Sequence, residues 1–550
     1  MKKFSKFMSM LLIVLFVFGA CGSPEAAPPA QEEATPAAEA TPAPTPAPTP
    51  EPGEDIVEIT FHYTWGGNVF NPEWSSWIVA QEETGVNLVG VANPLFSSPA
   101  EELTLQAVEG FPAHLYAGGG GFRTLFMQYG MEGAFIPLND LLPAYAPTFY
   151  DLMTRFPELR AAITAPDGNI YHLPGMNDVL ETIASGRNYW IRQDWLDILG
   201  LDAPNTIDEL EQVLIAFRDE MPAHTGNDVV WPVIGADMAN LLNMLVPFWG
   251  ARSMGNELEQ RIVPDSNNVL YNPWIADEFR TAIENISRWY QEGLIDQQIF
   301  TRGGGFRQEL FASDQGAFAY HFPLSTGDFN HIIREIHPDF SLVAIAPPLN
   351  VNNQRVSEHQ RPLINFNGWA ISHNNPHPER TLQFIDFFYT RKGRDLQSFG
   401  TEGITFEYDA QGNPVFLPRI WEQGMPGLDY IRWTHGAVQD GIGRWPDIRF
   451  EHQMGGPETL EAMILYEANG SFAPIMLPLL PFNHEELQIV NEITPHLHAY
   501  LDEQVQSFIM GDWQAIAGQW DAFVQGAIAV GANDLLEVYQ SAYDRFLAMN

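Results

Sequence analysis

From Val57 onward apolar residues alternate with polar ones, and Val57, Ile59, Phe61, Tyr63 and Trp65 share one face, the period of a half-buried strand. Trp74 to Glu83 then reads as a helix, Val86 to Val91 as a second strand, and Leu103 to Val108 as helix again. Such alternation predicts parallel sheets with helices on both faces. Thr206-Ile207-Asp208-Glu209 is a capping box, in which the Thr hydroxyl and the Glu side chain each satisfy a free amide at a helix start. Behind it Ile207, Leu210, Leu214 and Phe217 recur at helical spacing. Residues 277–292 predict an amphipathic helix through Phe279, Ile283, Ile286 and Tyr290, with Gly293 as its stop. Pro378 suits the first position of a helix whose apolar face includes Leu382, Ile385 and Phe388. After about residue 405 the strand pattern fades, and Glu485 to Met549 reads as mostly helical. No repeat of solenoid length is present.

The first 55 residues follow other rules. Met1 to Lys6 is basic, Met10 to Phe18 is an apolar run too short to span a bilayer comfortably, and Gly19 and Ala20 precede Cys21, the single cysteine. This order resembles a bacterial lipoprotein signal, with Phe18 where that pattern usually has Leu. Residues 1–20 are therefore expected to be a signal peptide and Cys21 the lipidated first residue; the alternative is an ordinary signal with a chance cysteine. One cysteine excludes disulfide frameworks and Cys-rich metal sites. In residues 22–54, 10 of 33 positions are Pro, with Ala, Thr and Glu among the rest. No core can form there, so 21–55 is read as a lipidated Cys and an extended linker, reaching on the order of 100 Å at about 3.1 Å per residue. No later stretch is long and apolar enough to cross a membrane, and the body is expected to be soluble.

Of the 550 residues 45% are apolar and 12% aromatic, which suits a globular body too large for one core. Asp and Glu number 69 against 27 Lys and Arg, a net charge of −42. A body this acidic repels phosphate backbones and anionic lipid, so nucleic-acid binding is excluded and the membrane is reached through the lipid anchor only. Beyond the signal the one lysine is Lys392.

Several segments together carry a resemblance. Trp190-Ile191-Arg192-Gln193-Asp194-Trp195-Leu196-Asp197-Ile198-Leu199-Gly200-Leu201, followed by Pro204-Asn205-Thr206-Ile207-Asp208-Glu209-Leu210, resembles the family 1 extracellular solute-binding lipoproteins, which serve ABC importers, most often for carbohydrates. Asp167-Gly168-Asn169-Ile170-Tyr171-His172-Leu173-Pro174 resembles the family's segment before the chain crosses between lobes, and Asn367-Gly368-Trp369-Ala370-Ile371-Ser372 its return into the first lobe. Phe399-Gly400-Thr401-Glu402-Gly403, Phe508-Ile509-Met510-Gly511 and Ala542-Tyr543-Asp544-Arg545 extend the likeness to the end. The resemblance implies an α/β, two-lobed periplasmic-binding-protein-like type 2 fold, similar to maltodextrin-binding proteins, with a helical C-terminal region. Lobe one would be 56–182 plus 362–402, and lobe two 183–361 plus 403–550. The implied partners are a small-molecule carbohydrate ligand and ABC permease subunits, at the extracellular face of the cell membrane. Two places depart from the family. Many relatives carry a calcium-type loop where this chain has Met221-Pro222-Ala223-His224-Thr225-Gly226-Asn227, with too few carboxylates, so no metal is expected. The family's usual Pro-Asp pair is Pro112-Ala113 here, followed by Gly118-Gly119-Gly120-Gly121, so specificity does not transfer from relatives.

Other chemistry is thin. The glycine run lacks the Lys and Ser/Thr of a P-loop, and His496 and His498 lack the carboxylate or Cys support of a metal site. No nucleophile elbow or zinc-protease helix occurs. Arg192 beside Asp194 reads as a structural ion pair before a catalytic one, and is kept as a candidate ligand contact. The aromatics say more: 15 Trp, 17 Tyr and 36 Phe. Trp65 precedes Gly66-Gly67, Trp249 precedes Gly250, Tyr320 ends the run Ala317-Phe318-Ala319, and Trp369 follows Gly368. Strand ends and glycine turns are where open α/β sheets bind ligands, so these four are the candidate platforms for a sugar ring; core packing is the competing reading for each. The function that follows is a membrane-anchored solute-binding protein delivering a sugar or oligosaccharide to an ABC importer, with no cofactor and no catalysis. A surface-anchored glycoside hydrolase or lyase, and a ligand sensor without transport partner, are the alternatives.

Overall fold

The computed structural model describes residues 56–65, 68–93, 99–118, 122–177, 186–253, 261–359, 361–474, 477–478 and 480–549. Cys21, the linker and positions 119–121 of the glycine run lie outside them. Among the described residues no helix is long and apolar enough to cross a membrane. In chain order the strands are β1 (Val57–Trp65), β2 (Asn68–Val69), β3 (Val86–Gly90), β4 (Leu115–Gly118), β5 (Leu173–Met176), β6 (Asn188–Arg192), β7 (Val263–Pro264), β8 (Leu270–Tyr271), β9 (Phe318–His321), β10 (Leu342–Ile345), β11 (Ile364–Ile371), β12 (Phe406–Tyr408) and β13 (Pro414–Phe416).

The fold is α/β with two lobes. Lobe one is built on the sheet β2-β1-β4-β11-β5, with β3 also on β1. β3 and β4 run parallel to β1, while β11 is antiparallel to both β4 and β5. The polar face of β1 is covered as well as the apolar one, with His62 and Thr64 buried. Ile59, Phe61 and Tyr63 enter a cluster with Trp77, Trp369, Phe384 and Phe388. On the opposite face His62 is also buried, its Nε2 2.8 Å from Glu102 Oε1 and its ring stacked on Tyr116. β1 is thus a central strand covered on both sides. The helix predicted at Pro378 runs to Phe387 and lays Leu382, Phe384 and Ile385 on this sheet.

Lobe two is centred on the three strands β10-β6-β9. Both neighbours of β6 are antiparallel to it, which corrects the expectation of parallel sheets throughout. The reason is the route of the chain. β6 leads away from the point where the chain enters the lobe, and β9 and β10 each lead back. The parallel relation survives between β9 and β10, joined by the helix Pro323–Arg334 across β6. The capping box forms as the sequence requires: Thr206 accepts from Glu209 N, and the Glu209 side chain from Thr206 N, at the start of Ile207–Glu220. The tail folds as helices His484–Met510, Ile516–Ala529 and Ala532–Met549. Leu501, Val505, Trp520 and Phe523 from them share a core with Tyr189, Trp249 and Tyr320.

Two crossing segments run side by side. Asn177 N donates to Leu363 O at 2.9 Å and Gly186 N to His359 O at 3.1 Å. A Cβ on Gly186 would lie 1.9 Å from His359 Nδ1, so glycine is what lets these segments touch. The strands of the first sheet lie between Val57 and Met176 and at Ile364–Ile371, and those of the second between Asn188 and Ile345. Farther on, the chain turns back toward lobe one before the helical tail: Ile442 and Trp445, numbered with lobe two in the sequence reading, pack in the core of lobe one.

Candidate functional site

The C-terminal ends of β1, β4 and β5 and the N-terminal end of β11 share one edge of lobe one, the edge from which the chain crosses over. Strand ends of this kind leave backbone and side chains free to meet a ligand. Trp65, the last residue of β1, is half-buried there and stacks on Trp433, with ring centroids 6.0 Å apart and planes at 21°. The Arg432 guanidinium lies 5.4 Å from the Trp65 ring centroid and 5.8 Å from that of Trp433. Two indoles and a guanidinium, all only partly covered, make a flat platform with a polar rim.

The segment behind this platform is stapled to the sheet. Tyr63 OH donates to Asp440 O at 2.6 Å, and Trp369 Nε1 to Gly443 O at 2.6 Å. Met176 N donates to Arg444 O at 2.7 Å. Gly441, at φ +86°, sets its α-carbon against Gly118, where a Cβ would be 3.3 Å from that backbone. Within the segment Arg432 Nε donates to Val438 O, and Arg444 Nε to Gln439 O. Asp440 receives both arginines, at 3.8 Å from Arg432 and 3.4 Å from Arg444. Burial and the Asp440 carboxylate hold the Tyr63 hydroxyl well above the ordinary phenol range, so it remains a donor.

On lobe two the corresponding edge holds the start of β6, the end of β9 and the end of β10. Phe322 is half-buried there, under the Arg187 guanidinium at 4.7 Å and edge-on to His359 at 5.5 Å. Each lobe therefore presents an arginine-covered aromatic at its crossover edge.

Of the residues expected from sequence, Trp65 alone stands at such an edge with its ring part-exposed. Trp369 is 0% exposed, wedged among Phe61, Trp77 and Phe388, with centroids 5.5–6.2 Å away. Trp249 is buried edge-on to Trp289. Tyr320 is buried against Tyr189; its hydroxyl shares a hydrogen bond with Ser357 Oγ at 2.7 Å and accepts from His359 N, and burial pushes its pKa to about 12. Arg192 is buried between Asp194 and Asp314, at 2.6 and 2.8 Å, with Trp195 and Phe340 against its guanidinium. A strand-end position fixes where a backbone stops, and the direction of the side chain follows from the pleat. Trp369 belongs to the middle of the β11 ladder, opposite Ala117 and Leu173, which points it inward. Trp433, Arg432 and Arg444 are unmarked in the sequence, because they lie beyond residue 405 in a segment without strand or helix periodicity. The one signal was an Arg-Trp pair shortly before Gly436.

The loop 221–227 holds a short helix, Pro222–Thr225, and its polar groups are turned to backbone. Thr225 Oγ1 donates to Met221 O, and Asn227 Nδ2 to Ser313 O and Asp314 O. Among the described residues no group of three His, Cys, Asp or Glu side chains could hold a metal ion.

No family model matches the chain. It is similar to the alginate-binding protein AlgQ2, whose structure without calcium ion matches 89% of this chain and 98% of that chain at 32% identity and a TM-score of 0.81. It is also similar to the fructooligosaccharide ABC transporter substrate-binding protein FusA of Streptococcus pneumoniae, 23% identical over 458 residues, which are 77% of this chain and 78% of that protein. The structure of FusA with kestose shares the fold over 90% of this chain and 100% of that chain, at a TM-score of 0.74 and 20% identity. A stretch of 179 residues, 32% of each protein, is 24% identical to lipoprotein LipO of Bacillus subtilis. Identity of 32% over nearly all of a relative, on a two-lobed α/β body with a helical tail, places the chain in its family: it belongs to the solute-binding proteins of ABC importers.

Proposed function

We propose that this protein binds an oligosaccharide at the crossover edges of its two lobes and hands it unchanged to an ABC permease. The observation that carries the reading is the Trp65–Trp433 stack with Arg432 over it, at the strand ends of lobe one. Sugar rings have apolar C–H faces edged by hydroxyls, and a flat aromatic platform beside fixed donors suits both. The relatives' ligands, alginate for AlgQ2 and fructooligosaccharide for FusA, are of the same chemical kind. Ligand that touches both edges favours the closed arrangement by its extra contacts there, and that shift reports occupancy to a permease. Catalysis is not part of the reading. Asp440, the carboxylate beside the platform, is engaged by two arginines and a glycosidase needs a facing pair. Incubation of the purified protein with an oligosaccharide library should raise the melting midpoint for the bound species, and chromatography should recover that species intact. Release of shorter sugars would establish a hydrolase or lyase instead.

The same reading ties the protein to the membrane through Cys21, supported by the lipoprotein-type signal and the likeness to LipO. Cys21→Ser is expected to move the protein to the medium without lipid. A Ser variant that stays in the membrane fraction and still incorporates labelled fatty acid defeats the assignment.

A further inference from the structure

Arginine is outnumbered by acids in this chain, and the other buried arginines among the described residues are each paired with one: Arg192 with Asp194 and Asp314, Arg261 with Asp502, Arg444 with Asp440. Desolvation demands this, because a buried cation keeps its charge at low cost only beside a counter-ion. Arg307 departs from the pattern. It opens the helix Arg307–Ala312 and is 8% exposed; its side chain makes no hydrogen bond or ion pair among the described residues and buries its Nε without a partner. Burial, and then the charge of Arg187, lower its pKa to about 10, so it is still a cation at neutral pH. The carboxylate that acts on it is Asp237, an exposed residue whose Oδ1 already accepts from Asn240 N as the cap of the helix Met238–Leu245.

The other charge that acts on Arg307, Arg187, is of the same sign. His321 ends β9 opposite Asn188, the first residue of β6, which puts Arg187 next to it at the crossover edge of lobe two. Burial first, then Arg307 and Arg187, hold the His321 pKa well below the ordinary histidine range; its Nδ1 is 3.1 Å from Thr326 Oγ1 and its ring stacks on Phe329. Arg187 lies over Phe322. Two guanidinium groups therefore act on a buried histidine at this edge of a protein with a net charge of −42.

We propose that this cluster seats an anionic oxygen group of the bound glycan, a uronic carboxylate or a sugar sulfate, with Arg307 as its direct partner and Arg187 beside it. The assignment rests on the oligosaccharide reading and gives it a charge class. The planar guanidinium fork matches the paired oxygens of either group, and a ligand anion would supply Arg307 with the counter-ion it lacks. Phe322 beside it offers the ring that carries the group an apolar surface.

Titration calorimetry on the full chain would compare uronate tetrasaccharides, their carboxyl-reduced neutral counterparts and sulfated tetrasaccharides. Acidic forms should bind at least about tenfold more tightly than neutral ones, and Arg307→Gln should bring that ratio near one. The uronate and sulfate arms show which group is taken. Without ligand, Arg307→Gln should melt no lower than the parent, since it removes an unpaired buried charge; an arginine that serves the fold would melt lower. Equal binding of acidic and neutral forms by the parent overturns the assignment, as does a ratio that survives Arg307→Gln. Should that variant fail to fold, Arg187→Gln and the parent's own ratio decide. Glycans bound without regard to charge defeat this assignment alone, whereas binding of no glycan of either kind defeats the oligosaccharide reading and this assignment with it.

Discussion

Trp369→Ala is expected to lower the free energy of unfolding by about 3–5 kcal/mol, measured by denaturant titration. The indole is fully buried and touches Phe61, Trp77, Phe384 and Phe388, four rings contributed by a strand and two helices. These neighbours belong to separate elements of a packed layer, so they cannot collapse into the space without moving the sheet or the helix above it. The substitution also removes the Nε1 donor from Gly443 O, which leaves a buried carbonyl unpaired and loosens the segment behind the Trp65–Trp433 stack. Stability and affinity should therefore fall together. A loss under about 1 kcal/mol would contradict the packing described.

Trp65→Ala should behave in the opposite way. The ring is half-buried, stacked on one partner and covered by one arginine, so its removal should move the melting midpoint little. Oligosaccharide affinity should drop at least about tenfold, corresponding to roughly 1–3 kcal/mol of aromatic contact. Trp433→Ala should act alike, and the double variant should lose less than the sum, because each ring holds the other in place. The contrast with Trp369→Ala separates platform from core. If Trp65→Ala and Trp433→Ala both bind as the parent does, the platform is not where the sugar sits.

The strand ends that carry the proposed site are legible in the sequence, and the side chains gathered there only in part. Trp65 was legible because alternation ran up to it and glycines followed. Trp433, its stacking partner, is 368 residues away in a segment with no period, and nothing local marks it. Trp369 carried the same local signs as Trp65, an aromatic beside glycine in a strand. The difference is position in the ladder, with Trp369 hydrogen-bonded between β4 and β5 and Trp65 at the open end of β1. Burial of this kind depends on neighbours brought by other segments, which no local pattern records.

The sequence by itself determined the elements and their order. Apolar periods of two and 3.6, the Thr206 capping box and Pro378 at a helix start are local statements, satisfied by interactions within a few residues. It also determined the acidic charge and the family likeness. The tertiary structure alone decided the direction of β9 and β10 beside β6, because strand direction follows from where the chain enters and leaves a lobe. It decided as well which aromatics reach an edge and which fill a core, and that the charges of Arg187 and Arg307, far apart in the sequence, act on the buried ring of His321. Charge and stacking act through space over a few ångströms, so a site made from distant segments comes into being only when the chain has folded.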